Sequence, residues 1–212
     1  MEYNNFSYPG RDDIQSMLNQ LVVVKLNGGL GTTMKCDGPK SLIPVRSDLS
    51  FLDLTVQQIE NLNTEYDVNI PLVLMNSFNT NESTDHMLKN TVVLKLKFIH
   101  FCKTNILILM HLNLILFRIL SKKVNLFWYP PGHGNFYESF NKCGLLRKFL
   151  KDGKKYCFVS NIDNLGATVD FAILNFLMNP PTGQHAAFLM EVTNKTPADI
   201  KGGTVVLHKE KK

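Results

Sequence analysis

Short apolar runs alternate with amphipathic segments along most of this chain. Apolar residues at positions 52, 54, 56, 59 and 62 repeat with helical spacing and predict an amphipathic helix over Leu52–Leu62. A second helix is predicted over Val169–Met178, because the apolar segment stops at two prolines. Runs of five or six mainly apolar residues, bounded by polar or turn-forming residues, predict buried strands at Val22–Leu26, Pro71–Met75, Tyr156–Ser160 and Ala187–Val192.

This order of strands and helices indicates an α/β protein with a mainly parallel sheet. In such sheets ligands bind beyond the carboxyl ends of the strands. The turns after Leu26, Met75 and Ser160 all follow predicted strands. We therefore expect these three turns to meet at one edge of the sheet and to form a binding site there.

The turn after the first strand is rich in glycine and is followed by a lysine. It has the sequence LNGGLGTT at 26–33, and Gly38-Pro39-Lys40 follows five residues later. Glycines let a backbone approach a ligand closely, and turn amides form anion-binding concavities. A lysine whose position is limited by the preceding proline can place a point charge on phosphate oxygens. The spacing is that of neither a Rossmann fingerprint nor a P-loop. A purely structural turn with a surface lysine remains the alternative.

Polar residues follow the second and third strands. Asn76 follows the second, and Asn161 and Asp163 follow the third. A carboxylate at a strand end can hold Mg²⁺, although Asp163 could instead cap the next helix, and Asn76 could also be a helix cap. His133 is flanked by Gly132 and a second glycine, so that it could donate to a phosphate or sugar oxygen.

Composition narrows the class of protein. The 212 residues are 44% hydrophobic and 19% charged with a net charge of +5, which suits an anionic small ligand and is too mild to argue for nucleic acid. Four cysteines without metal-ligand spacing favour a reducing, cytoplasmic location. The uncharged run at 104–117 is shorter than the ~20 residues of a membrane-spanning helix, so we expect a buried apolar stretch and no membrane partner.

Seven blocks of the sequence resemble the UTP–glucose-1-phosphate uridylyltransferase family, the UDP-glucose pyrophosphorylases, and are most similar to its animal-type members. The blocks occur in order and at compatible spacing. They are LNGGLGTT at 26–33, GPKS at 38–41, FLDLTVQQIENLN at 51–63, PLVLMNSFNT at 71–80, WYPPGHG at 128–134, FVSNIDNLGATVD at 158–170 and MEVTNKTPADIKGGT at 190–204.

The resemblance implies a Mg²⁺-dependent transfer of UMP from UTP to glucose 1-phosphate, giving UDP-glucose and pyrophosphate. It implies that Lys40 is the catalytic cation and that Asp163 binds the metal. It also implies further substrate-binding residues, namely Leu26, Asn27, Gly28, Gly29, Asn76, Gly132, His133, Asn161, Ile162 and Gly203. The implied fold is a Rossmann-like nucleotidyltransferase core over 21–212, preceded by a polar segment at 1–20.

The chain also departs from the family. We expect residues 89–127 to be an insert-like stretch, since they do not align with the polar segment that the family has here. Lys35 stands where the family has glycine, and Asn135 stands where it has aspartate. The resemblance also implies that the core is incomplete, and we expect these residues to lack a second phosphate-binding lysine and the C-terminal β-helix domain that mediates oligomerisation in animal members. We therefore expect little or no turnover by these 212 residues and no native-type oligomer. The alternative function is that of a non-catalytic family member with residual or no nucleotide binding.

Overall fold

The structure is a computed structural model that describes residue 3 and residues 6–31, 38–90, 98–102, 106–107, 128–129 and 132–197. Side chains are described at residue 3 and at 6–31, 38–87 and 132–197. Lys35, Gly203 and most of the unmatched stretch 89–127 lie outside the described residues. The apolar run 104–117 also lies outside them, apart from the backbone of 106–107.

Helices and strands alternate, as the sequence pattern predicts. In chain order they are α1 (Arg11–Leu18), β1 (Leu21–Asn27), β2 (Pro44–Arg46), β3 (Leu49–Ser50), α2 (Phe51–Tyr66), β4 (Leu72–Asn76), α3 (Asn81–Asn90), β5 (Phe98–Cys102), β6 (Ile106–Leu107), β7 (Trp128–Tyr129), α4 (Phe136–Lys142), α5 (Leu145–Lys151), β8 (Tyr156–Asn161) and α6 (Phe171–Met178). Short 3-10 turns cover Lys40–Leu42 and His133–Asn135. Among the described helices, none is both long and apolar enough to cross a bilayer.

The described strands form a four-stranded sheet in the order β5-β4-β1-β8. All three pairings in this sheet are parallel, and β1 lies between β4 and β8. Asn27 of β1 is in register with Asn76 of β4, and Leu26 is in register with Asn161 of β8. The carboxyl ends of these three strands therefore meet at one edge, as the sequence predicts.

Helices cover both faces of the sheet, which explains why β1 and β4 are apolar on both sides. One face packs against α1, α2 and α6, and its buried residues include Ile14, Leu18, Val23, Leu52, Val56, Ile59, Leu72, Leu74 and Leu174. The other face packs against α4 and α5, and its buried residues are Val22, Val24, Val73, Met75, Phe136, Phe140 and Phe149.

The predicted amphipathic helix forms and is longer than its apolar pattern. It begins with a capping box, in which Ser50 Oγ accepts from the Asp53 amide at 3.2 Å and Asp53 Oδ2 accepts from the Ser50 amide at 2.9 Å. The helix ends at Tyr66, where Asp67 takes a left-handed conformation with φ 49°. Capping thus fixes boundaries that apolar spacing alone leaves open.

One expectation of secondary structure is wrong. Residues 187–192 form no strand, and Phe188, Met190 and Val192 are exposed by 61%, 56% and 64%. A strand needs a neighbour to complete its hydrogen bonds, and no pairing of this segment occurs within the described residues. The segment 1–20 contains α1, and Ile14, Met17 and Leu18 of this helix are buried against the sheet.

Candidate functional site

The glycine-rich turn after β1 is closed at its base by backbone hydrogen bonds. The Gly31 amide donates to Gly38 O at 2.8 Å, and the Lys40 amide donates to Gly29 O at 3.1 Å. Leu30 and Pro39 form an antiparallel bridge between the two sides. The lysine that follows the turn is therefore fixed directly against the glycines that precede it.

Lys40 lies across Gly29 and reaches the turn after β8. A Cβ atom built on Gly29 would stand 3.7 Å from Lys40 Cδ and 3.9 Å from its Cε, so the lysine stem packs over this glycine. Lys40 Nζ lies 2.9 Å from Asp163 Oδ2, and the two side chains are 30% and 28% exposed. The predicted cation and the predicted metal ligand thus form a partly open ion pair.

Asp163 belongs to the turn that β8 makes at the edge of the sheet. The Ile162 amide donates to Leu26 O at 3.2 Å, which joins this turn to the end of β1. The alternative that Asp163 caps the next helix is wrong, because Asp170 caps α6 by accepting from the Ile173 amide at 2.9 Å. Asp163 is thereby left facing Lys40.

Asn27 and Asn76 lie behind the turn and are fully buried. Asn27 Nδ2 donates to Asn76 Oδ1 at 2.8 Å and to Thr84 Oγ1 at 3.0 Å. Asn76 Nδ2 donates to Asn81 Oδ1 at 3.1 Å rather than capping a helix amide. Both asparagines therefore join the ends of β1 and β4 to α3.

Two hydroxyls fix the backbone of the same turn. Thr80 Oγ1 donates to Asn27 O at 2.7 Å, and Ser77 Oγ donates to Gly28 O at 3.0 Å. Sequence reasoning missed the contributions of Thr80 and Thr84, since hydroxyls in a polar segment resemble any turn or cap residue. The polar residues after β4 shape the glycine turn from within the protein.

The glycine–histidine loop lies next to α4. Gly132 has a φ of 89°, which favours glycine, and the exposed His133 begins the 3-10 turn that leads into the helix. Asn135 accepts a hydrogen bond from Ser139 Oγ at 2.5 Å and donates to Glu138 Oε2 at 3.1 Å. Asn135, which stands where the family has aspartate, therefore makes local contacts at the start of α4.

Lys25 is the second group that sequence reasoning missed. It lies in the middle of β1, is 2% exposed, and donates from Nζ to Ala167 O at 3.1 Å. Burial lowers the pKa of its ammonium to about 8. A lysine inside the run VVVKLN is the signal that could have drawn attention to it, because lysine is almost never fully buried without a partner.

The site as a whole is a polar edge of a parallel sheet, with a lysine on a glycine turn and a carboxylate beyond the neighbouring strand. This arrangement is typical of α/β proteins whose sheet edge is suited to a phosphate-bearing ligand. Among the described residues, no cluster of three or more potential metal ligands occurs. A cation at Asp163 would have to complete its coordination with ligand and water oxygens, which is the usual mode for Mg²⁺.

Comparison with known proteins identifies the family. The sequence model of the UTP–glucose-1-phosphate uridylyltransferase family matches residues 1–212, and the chain belongs to this family. The probable UTP–glucose-1-phosphate uridylyltransferase of Schizosaccharomyces pombe is 49% identical over 189 residues, which cover 89% of this chain and 37% of that protein. The corresponding enzyme of Saccharomyces cerevisiae is 46% identical over 191 residues, which cover 90% and 38%.

Solved structures agree with these relatives. A UDP-glucose phosphorylase from Trypanosoma brucei superposes with a TM-score of 0.67 at 33% identity, over 84% of this chain and 41% of that one. A Leishmania major UDP-glucose pyrophosphorylase variant in complex with UDP-glucose gives a TM-score of 0.69 at 29% identity, over 83% and 36%. The family resemblance and the α/β class with a parallel sheet are confirmed. The chain spans about two fifths or less of the length of these proteins.

Proposed function

We propose that this chain supplies the UTP-binding part of a UTP–glucose-1-phosphate uridylyltransferase. The observation that carries the proposal is the Lys40–Asp163 pair beside the glycine turn, at the carboxyl edge of the sheet. Residues 123 positions apart in sequence meet there, where a parallel sheet binds its ligands. Residues 21–212 would form this core, in a protein located in the cytoplasm.

The reaction needs positioning and charge neutralisation more than covalent catalysis. A phosphate oxygen of glucose 1-phosphate attacks the α-phosphorus of UTP, and the bond from that phosphorus to the bridging oxygen breaks to release pyrophosphate. The backbone of Leu26, Asn27, Gly28 and Gly29 would hold the nucleotide. Lys40 would exchange its contact with Asp163 for a triphosphate oxygen, which the partial exposure of both side chains permits.

Mg²⁺ fits the chemistry of this site. Asp163 is a partly exposed carboxylate within reach of a phosphate held by Lys40, and Mg²⁺ is commonly held by one or two carboxylates together with phosphate oxygens and water. When bound, the ion would withdraw charge from the triphosphate. Lys40 and the ion would then act on the same phosphates, and Asp163 would hold the ion in place of the lysine.

The remaining candidates complete the proposed site. His133 and Gly132 lie in a glycine-containing turn that leaves the imidazole exposed, so they could reach a phosphate or sugar oxygen. Asn161 is an exposed residue at the end of β8 and could bind the ligand. Gly203 lies outside the described residues and is proposed only from the family resemblance.

Isothermal titration of Mg²⁺ and UTP into the purified chain tests the proposal. We expect micromolar binding that is weakened about tenfold or more in Lys40→Met, the loss expected for one charge-assisted hydrogen bond. Lys151→Met removes an exposed lysine on α5 and should bind as the unchanged chain does. Binding that is equal in both variants, or absent in a folded chain, would refute the UTP site.

The alternative is a non-catalytic member of the family. It concerns these 212 residues taken by themselves, which span 37% of the length of the Schizosaccharomyces pombe relative. We expect UTP binding with little or no formation of UDP-glucose when glucose 1-phosphate is added, because preorganised electrostatic catalysis requires the whole site. Measurable turnover by the purified 212 residues would exclude this alternative.

A further inference from the structure

The loop at 162–168, which carries Asp163, is held by side chains from two other elements. Lys25 Nζ of β1 donates to Ala167 O at 3.1 Å, and Gln58 Nε2 of α2 donates to Leu165 O at 3.1 Å. The loop's own backbone bonds are Asn164 N to Asn161 O, Ala167 N to Asn164 O and Thr168 N to Gly166 O, at 3.2, 3.3 and 3.0 Å. At its start the loop is also joined to Leu26 O by the Ile162 amide and to Lys40 by Asp163, so Lys25 and Gln58 are the anchors of its second half.

Burying the charged side chain of Lys25 costs free energy, so packing alone does not explain a lysine at this position. Its side chain is buried on β1, an inner strand of the sheet, and its ammonium lies 5.7 Å from the centroid of the Phe158 ring. Its register partner is Ser160, whose buried Oγ has no hydrogen-bond partner among the described residues. An apolar side chain of similar length would fill the same space without the cost of burying a charge.

We propose that Lys25 is a positioning residue that acts together with Gln58. The two side chains hold the carbonyls of residues 165 and 167 from two different elements, Lys25 from the sheet and Gln58 from α2. The loop is thereby fixed so that the carboxylate of Asp163 stays within 2.9 Å of Lys40 Nζ. The consequence for ligand affinity rests on the proposed function, whereas the consequence for the loop does not.

Amide hydrogen exchange resolved by residue tests the effect on the loop. Lys25→Met and Gln58→Met each remove one anchor, and Lys151→Met is the matched control at an exposed position of α5. We expect roughly tenfold faster exchange of the amides at 164, 167 and 168 in both anchor variants, the effect of losing one hydrogen bond of ordinary net strength. Exchange within β1 and β4 should stay unchanged.

Two results would overturn the proposal. Loop exchange that equals the control in both anchor variants would reduce Lys25 to a core residue with a satisfied hydrogen bond. Exchange that rises equally in the loop and in the sheet would show a general loss of stability instead of positioning. If Lys25→Met fails to fold, Gln58→Met decides alone, because Gln58 is only half-buried and its replacement leaves the core intact.

Titration of Mg²⁺ and UTP adds a readout that separates this proposal from the proposed function. We expect both anchor variants to bind UTP about tenfold more weakly than Lys151→Met does. A loop that no longer holds Asp163 in place would cost about as much as the loss of one charge-assisted contact. If the unchanged chain binds no UTP, the proposed function fails while the exchange result still decides the role of Lys25. Unchanged affinity with a loosened loop would refute the link from loop to ligand.

Discussion

Replacing Lys25 by methionine should change how stability depends on pH. The ammonium is 2% exposed, and burial lowers its pKa from 10.5 to about 8. Between these values the unfolded chain binds more protons than the folded one, so Lys25 makes the unfolding free energy rise with pH. The shift corresponds to on the order of 3 kcal/mol, of which ~2 kcal/mol is recovered between pH 7 and 9.5.

The change in unfolding free energy caused by Lys25→Met at neutral pH is less informative than the way this change depends on pH. Methionine removes a buried charge, but it also leaves Ala167 O without its 3.1 Å donor, which costs about 1–3 kcal/mol. These contributions oppose each other at pH 7. As the pH rises above the lowered pKa, the cost of the buried charge shrinks while the lost hydrogen bond remains, so the variant should become less stable relative to the wild-type chain.

Urea unfolding of both proteins at several pH values between 7 and 9.5 measures this effect. The other titrating groups are common to both chains and cancel in the difference. We expect the free-energy difference to move against the variant by about 2 kcal/mol across this range. Lys151→Met should show no such trend. A difference that stays flat with pH would refute the burial of a charged Lys25.

Three further substitutions test the fold and the site. Ser50→Ala should lower the unfolding free energy by about 1 kcal/mol in thermal melts, because it removes the capping box of α2; an unchanged melt would contradict the cap. Leu74→Ala should cost about 2–5 kcal/mol in urea unfolding, since Leu74 is fully buried, and a loss well below this would mean loose packing. Asp163→Asn should cost under about 1 kcal/mol, as for a partly exposed ion pair, yet abolish Mg²⁺-dependent strengthening of UTP binding in titrations; retained strengthening would exclude Asp163 as the metal ligand.

The sequence predicts the parts of the fold that depend on local apolar pattern. Three strands form where the apolar runs predict them, and they include Val24, Val73 and Val159. The helix that contains Val56 forms where the helical spacing predicts it. The common edge also follows, because parallel strands bring their carboxyl ends together. The short ion pair between Lys40 and Asp163 is consistent with that expectation.

Long-range partners determine the rest. Residues 187–192 have the composition of a strand, yet they form none and Phe188 is exposed. Strand formation depends on a neighbouring strand, which the local pattern does not encode. Asn27 and Asn76 resemble ligand-binding residues in sequence, whereas their amides pair with each other across two strands. The anchoring role of Lys25 depends on a carbonyl 142 residues away.

The parallel placement of β1 between β4 and β8 has a consequence for the order in which the chain acquires structure. Leu72–Asn76 can pair with β1 early, but Tyr156–Asn161 emerges from the ribosome much later. At ordinary rates of synthesis the delay between Lys40 and Asp163, 123 residues on, is on the order of ten seconds. During that interval one side of β1 lacks its neighbour, so this edge is the place where a nascent chain would recruit a chaperone or pair with another chain.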